Sequence, residues 1–298
     1  MLRINQLSKS YGTHVALNRL DLEVPAGVIF GILGPNGAGK TTLIRIINQI
    51  IEQDSGTVAL EDKPLSAETI RKIGYLPEER GLYKKMSVAD QLIYFSRIKG
   101  LDARESKRRV SYWLEKMDIS SWKSKKIEDL SKGMAQKVQF IATVIHGPSL
   151  LILDEPFSGF DPVNAELVKN EILELKAQGT TILLSTHRME SVELLCDHVA
   201  MIHKSKKILD GTISEIKSQF RSDRAQVVLN KVSKELPSYW TVEESKQGQL
   251  RLSIPMGGQS PNQVLTELMR FGEVLSFQEQ VPSMEQLFIQ QVKANSHE

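Results

Sequence analysis

Cysteine is nearly missing from the chain: one residue, Cys196, stands in 298. A lone thiol excludes an intrachain disulfide framework and fits a reducing compartment. Its neighbours Val192, Leu194 and Leu195 mark it as a small core residue rather than a reactive thiol. Long apolar runs are absent as well. Every such run is strand-sized, far below the roughly 18 residues of a membrane-spanning helix, so a membrane role is expected only through a partner. Long runs of one charge sign are also lacking. The densest basic stretch, Lys107-Arg108-Arg109, falls in a helical pattern and reads as a solvated face, so no nucleic-acid tail is expected. The chain opens directly on an alternating strand, Leu2–Leu7, and no secretory signal is expected before it.

What is present is ordinary for a globular protein of about two domains: 41% hydrophobic residues, 25% charged and a net charge of +2. One stretch organises the rest. Gly34-Pro35-Asn36-Gly37-Ala38-Gly39-Lys40-Thr41-Thr42 follows the apolar run Val28–Leu33 and precedes Leu43, Ile46, Ile47 and Ile50 at helical spacing. Strand, glycine-rich turn and helix form the setting in which G-x-x-x-x-G-K-[ST] binds phosphate. The glycines let successive N–H groups point inward, and the helix N-terminus adds positive potential. Lys40 can then reach the β- and γ-phosphates, and the Thr41 hydroxyl can ligate Mg²⁺.

Residues 2–33 read as short alternating strands, with Tyr11-Gly12 in the loop between the first two. Tyr11 could stack on a base or simply plug the turn. Strands follow at Thr57–Leu60 and Ile73–Pro77. From Ser87, an N-cap, the pattern turns helical, giving a helical insertion over about 86–144. Leu150–Leu153 is continuously apolar, as in a buried parallel strand, and ends in Asp154-Glu155. Asp161-Pro162 starts a helix that Gly179 stops, and Thr181–Ser185 is the next strand, ending in Thr186-His187. A hairpin (Val199–Ile202, Lys207–Leu209) and a short helix near 213–220 close the domain.

After the polar stretch Arg221–Arg224 comes a small α+β domain over 221–298. Its strands are expected at Val227–Leu229, Leu250–Ile254 and Val274–Phe277. One helix follows Ser260-Pro261, and another follows a capping box at Ser283 and Gln286. Its charges nearly cancel, and it carries no phosphate loop, metal cluster or acid–base pair. A regulatory or pairing role is the expectation.

Carboxylates at the end of a central strand lie where α/β sheets bind ligands. Asp154 can hold Mg²⁺ through water, and Glu155 can take a proton from the water attacking a γ-phosphate. His187 fits either a polar core residue or a γ-phosphate contact. Ser131 and Gly133, within Leu130-Ser131-Lys132-Gly133-Met134-Ala135-Gln136-Lys137, open another helix and form a second anion site.

Together these motifs resemble the ATPases of ABC transporters over about residues 1–220. The order matches: Tyr11, the phosphate loop, the loop after Pro77, the signature at Ser131, Asp154-Glu155, Ser158-Gly159-Phe160-Asp161 and His187. The resemblance implies a P-loop NTPase with a RecA-like core, an antiparallel β-subdomain and a helical subdomain, binding ATP with Mg²⁺. It implies that two such domains pair head to tail. Tyr11 then stacks on adenine, and Gly34, Pro35, Asn36, Gly37, Ala38, Gly39, Lys40, Thr41 and Thr42 hold phosphates and metal. Asp154 supports Mg²⁺, Glu155 is the base and His187 senses the γ-phosphate. Ser131 and Gly133 close over the partner's ATP, with Asp161 at the seam.

The chain departs from the family pattern at Lys132 (usually glycine), Met134 (usually glutamine) and Glu78 (usually glutamine). A carboxylate at 78 can still accept a bond to metal but cannot donate as an amide does. The run Gly74–Tyr83 and the added domain look like the sodium-efflux (Nat-type) branch of bacterial exporters. The reading that follows is the ATP-hydrolysing subunit of an exporter of Na⁺ or small molecules. It would sit on the cytoplasmic membrane face through a permease and act beside a second ATPase subunit. The rival reading is a soluble ABC ATPase with a regulatory role or one on ribosomes or nucleic acid. The charge balance and the absence of a second cassette argue against nucleic acid.

Overall fold

The computed structural model describes every residue except 80, 221, 247 and 295–298. Arg80 of the Nat-like run and Arg221 of the polar stretch thus lie outside the described residues. The chain begins with β1 (Leu2–Tyr11), β2 (His14–Val24), β3 (Ile29–Leu33), α1 (Lys40–Ile47), β4 (Ser55–Leu60), β5 (Lys63–Pro64), α2 (Ala67–Arg71) and β6 (Ile73–Leu76). It continues through α3 (Val88–Ile98), α4 (Ala103–Lys116), α5 (Lys132–Val144), β7 (Leu150–Asp154), α6 (Pro162–Ala177), β8 (Thr181–Ser185), α7 (Met189–Leu195), β9 (His198–His203), β10 (Lys206–Thr212) and α8 (Ile213–Gln219). The remainder is β11 (Arg224–Asn230), β12 (Thr241–Lys246), β13 (Gln249–Pro255), α9 (Pro261–Leu268), β14 (Glu273–Glu279) and α10 (Met284–Ala294).

Two compact units result, one built on Met1–Ile213 and one on Ser214–Gln290. The first unit's main stretch ends at Ile213, so all of α8 after that residue groups with the second unit. In the first unit, β3, β7 and β8 are buried along their whole length, as their largely apolar sequences lead one to expect. They belong to a sheet ordered β10-β9-β3-β8-β7-β6, parallel except for β10. A second, antiparallel sheet runs β2-β1-β4-β5. Helix α1 supplies Leu43, Ile44, Ile46 and Ile47 to one apolar core that also takes Leu2, Ile4 and Leu20 from the second sheet and Phe30 and Ile152 from the first. Each such side chain contributes about 1.5–3 kcal/mol on burial, so the helix behind the phosphate loop is held firmly.

Helices α3, α4 and α5 form the expected helical insertion. Ser87 caps α3 by accepting from Asp90 N–H. Helix α5 runs antiparallel to β6, as side chains spaced along it show. His146 meets Ile73 O, Thr143 meets Tyr75 O and Gln139 meets Pro77 O. Eight residues separate Gln139 from Ser131, so at 1.5 Å per residue the start of α5 projects ~12 Å beyond that point. The basic stretch is only partly solvated. Lys107 and Arg108 are exposed, but Arg109 is half-buried and donates to Ile145 O at 3.0 Å.

The second unit is a four-stranded antiparallel sheet, β12-β13-β11-β14, packed through Val227, Leu229, Leu252 and Ile254 against Val264 and Leu268 of α9. Ser260 and Pro261 start α9, and Ser283 with Gln286 forms the capping box ahead of α10.

Candidate functional site

The phosphate loop leaves the carboxyl end of β3 and turns at Gly34 (φ 152°), Gly37 (φ 79°) and Gly39 (φ 113°). Two of these are also forced by space. A Cβ on Gly34 would lie 2.2 Å from Ile202 O, and one on Gly39 would lie 2.4 Å from Ala16 O. Pro35 O accepts from Ala38 N–H at 3.2 Å, which closes the turn across Asn36 and Gly37. The first backbone bond of α1 runs from Leu43 N–H to Gly39 O at 2.9 Å, and Gly39 has no side chain to cap the amides before it. The N–H groups of Lys40, Thr41 and Thr42 are therefore left for an anion. Lys40 bends back over the loop and donates to Gly34 O (2.7 Å) and Pro35 O (3.0 Å). Burial lowers its pKa, with the nearby charges of Asp154 and Glu155 opposing.

Beside β3 lies β8, and beside β8 lies β7, so their carboxyl ends form a row. Asp154 closes β7 opposite Ser185 and is buried. Burial pushes its carboxyl up, and the charges of Glu155 and Glu78 add to the rise while a Ser185 hydrogen bond and Lys40 oppose it. A buried acid among carboxylates is a site that a cation would relieve. Glu155 takes a left-handed backbone (φ 50°), held by its N–H to Ser185 O at 2.9 Å. Its carboxylate accepts from Thr186 Oγ1 (3.1 Å), His187 N–H (2.8 Å) and His187 Nδ1 (2.7 Å). An ionised carboxylate can only accept, so Nδ1 of His187 carries the hydrogen and a neutral ring presents Nε2 as an acceptor. His187 is exposed, which removes the alternative of a polar core residue.

The structure thus gathers the phosphate loop, Asp154, Glu155 and His187 into one place, with Glu78 just past the end of neighbouring β6. The other expected residues stand apart. Tyr11 ends β1 rather than lying in a loop, because the hairpin closes at Tyr11 opposite His14. It is 46% exposed, with Lys9 Nζ 5.8 Å from its ring centre. Ser131 caps α5 by accepting from Met134 N–H, and Gly133 sits in that first turn. Asp161 caps α6 by accepting from Asn164 N–H at 3.0 Å. Sequence reasoning gave no role to Ser185 or Thr186, whose hydroxyls bond to Asp154 and Glu155. The only local signal was their place at the strand end.

Comparison with known proteins agrees with this geometry. The family described as ABC transporter matches residues 17–158, and that described as ATP-binding protein DrrA1-3-like, C-terminal domain, matches residues 211–292. The ABC transporter ATP-binding protein YhaQ of Bacillus subtilis (strain 168) is 40% identical over 99% of both chains. The linearmycin resistance ATP-binding protein LnrL of the same organism is 30% identical over 97% of both. A solved structure of the ATP-binding subunit of an ABC transporter superposes with a TM-score of 0.70 at 32% identity, covering 74% of this chain and 93% of the other. With its phosphate loop, strand-end acids and full-length relatives all agreeing, the chain belongs to the ATP-binding subunits of ABC transporters, ATPases of the P-loop fold.

Proposed function

We propose that this subunit drives an export permease as one of a head-to-tail ATPase pair. The observation that carries the pairing is the position of Ser131. The row of strand ends provides Lys40, His187 and Glu155 from one subunit, while α5, antiparallel to β6, projects its start beyond the same carboxyl edge of the sheet. A second subunit, either a copy of this chain or another ATPase, receives it. Ser131 and Gly133 then close over the partner's nucleotide, with Asp161 at the seam and Tyr11 against the adenine.

Within one site, the amides of Gly37 to Thr42 and the Lys40 ammonium bind the phosphates. The Thr41 hydroxyl, Asp154 and Glu78 are the oxygen donors that would hold Mg²⁺, and the buried, electron-rich setting of Asp154 fits a divalent cation. That ion would neutralise charge on the phosphates. Glu155 is the general base. Its carboxylate offers about four lone-pair sites, and three are taken by Thr186 and His187, which leaves one for the attacking water. His187 Nε2 can address a γ-phosphate oxygen as a donor once it too carries a hydrogen, with Nδ1–H still on Glu155.

An apolar cleft of about 260 Å³ lies between α3, α5 and the loop after β6, lined by Tyr75, Pro77, Leu82, Phe95, Ile98 and Ala142. It is the surface for the permease, which would hold the subunit at the cytoplasmic membrane face; among the described residues no helix is long and apolar enough to cross the membrane itself. The likeness to a linearmycin-resistance protein and the DrrA1-3-like domain support small-molecule efflux. The Gly74–Tyr83 run favours a sodium-efflux (Nat-type) assignment as the second reading. The domain over 221–298 serves regulation or pairing.

Mixing two inactive variants tests the arrangement. A heterodimer of Lys40→Ala and Gly133→Asp subunits has one site carrying both lesions and one carrying neither. Partial ATPase activity is expected from the mixture. Crosslinking between subunits that carry Asn36→Cys and Ser131→Cys probes the same contact directly. A dead mixture in which heterodimers and those crosslinks both fail to form refutes the pairing. Glu155→Gln should keep ATP binding and lose about 10²- to 10⁴-fold in turnover; near-normal turnover removes Glu155 from its role.

A further inference from the structure

We propose that Gln136, on the second turn of the signature helix, is a positioning residue for Glu155 of its own subunit, acting through the backbone of Ser158. The inference rests on Glu155 being the general base. Gln136 Nε2 donates to Ser158 O, and Ser158 N–H donates to Glu155 O at 3.0 Å. The tether therefore ends on the turn that begins at Glu155, the residue whose own φ is +50°. Contact is close along this seam. A Cβ on Gly159 would lie 2.9 Å from Gln136 Nε2 and 2.5 Å from Lys132 Cε, so α5 lies directly on the loop. The same helix reaches the loop after β6, where Gln139 donates to Glu79 O at 3.2 Å.

A left-handed glutamate is a costly conformation that survives only when its surroundings over-determine it. Two constraints hold the Glu155 side: its N–H on Ser185 O, and its carboxylate on Thr186 and His187. Gln136 is the constraint on the far side of the turn, and it comes from the element that also carries Ser131 and Gly133. A shift of the signature helix then reaches the base of the same subunit through one side chain and one peptide. The other amide atom, Gln136 Oε1, is buried and without a hydrogen-bond partner among the described residues. Only the donor end has work, so the amide is not explained by local satisfaction of polar groups.

Gln136→Met removes the donor and also the unpartnered acceptor at similar length, so it should not lower the melting temperature. Positioning errors of about 1 Å cost up to ~10²-fold, and a fall in kcat of roughly 10- to 100-fold is expected with KM for ATP within about twofold. Gln136→Lys, which keeps an N–H donor at that reach, should recover most of the rate. In single-turnover assays, Gln136→Met should add nothing to Glu155→Gln, because both act on the same group. An unchanged kcat, a loss matched by a lower melting temperature or weaker ATP binding, no recovery with lysine, or additive losses would each overturn the proposal. If Glu155→Gln itself turns over normally, the reading of Glu155 fails first; if only Gln136→Met is normal, this inference fails alone.

Discussion

Replacing Gly39 by alanine strikes the phosphate loop where the chain passes close against another strand. Gly39 holds φ 113°, and an added Cβ would lie 2.4 Å from Ala16 O and 2.9 Å from Leu17 Cδ2. Both belong to β2, whose Leu17 is fully buried, so neither can step aside cheaply. The backbone strain costs about 1–3 kcal/mol and the overpacking about as much again. At roughly 2–4 °C per kcal/mol, the melting temperature should fall by about 10 °C, with ATP no longer raising it. Gly37 is the control. Its φ is 79°, but a Cβ there meets nothing within 4 Å. Gly37→Ala should therefore cost only the conformational share, about 1–2 kcal/mol. Thermal unfolding with and without ATP measures both variants. Equal effects at the two positions, or a Gly39→Ala protein that melts like the parent, would refute the argument that space as well as conformation requires glycine at 39.

Three further outcomes are expected. Lys116 bridges α4 to Glu171 (2.7 Å) and Glu174 (2.8 Å) of α6, and the Glu171 side chain is only 11% exposed. Lys116→Met should cost about 2–3 kcal/mol in denaturant unfolding, short of a fully buried pair because the lysine is partly solvated. His146 is buried, and burial with the charges of Lys99 and Arg109 lowers its pKa to about 3, whereas Ile73 O draws it the other way. The unfolded chain binds the proton more readily, so stability is fully present above pH 6.5 and lost toward pH 3, at up to about 1.4 kcal/mol per unit. His146→Gln should flatten the dependence of melting temperature on pH between about 6.5 and 5, and an unaltered slope would count against it. Ala142 lines the apolar cleft, and Ala142→Asp should abolish recovery of the subunit with membranes while its ATPase activity in solution stays within about threefold.

The strands of the site were legible because burial on both faces leaves short continuous apolar runs, as in Leu150–Leu153, bounded by turn residues and too short for a helix of ordinary length. The helix starts were legible because caps act locally: Ser87, Asp161 and Ser283 each bond within three residues. Strand β12 was not. Thr241–Lys246 is almost wholly exposed, shows no alternation, and is a strand only because β13 pairs with it. Short helices α2 and α7 were also missed, each having too few turns to show a period. Tyr11 was misplaced because Gly12 announces a turn without saying how tight it is. The bond from Gln136 to Ser158 had no local trace at all, since 22 residues and a strand separate its ends.

Helix α5 has no glycine or proline between Met134 and Val144, so it behaves mechanically as one stiff rod. One end, at His146, is seated against β6 beside the cleft. The other, at Ser131, projects ~12 Å past Gln139. From Ser131 to Val144 the rod is roughly 20 Å long, so pivoting it by about 5° at the seated end sweeps the tip through ~2 Å. That travel exceeds the difference between a made and a broken hydrogen bond. A small tilt at the cleft end would thereby be felt at the tip as the gain or loss of a hydrogen bond.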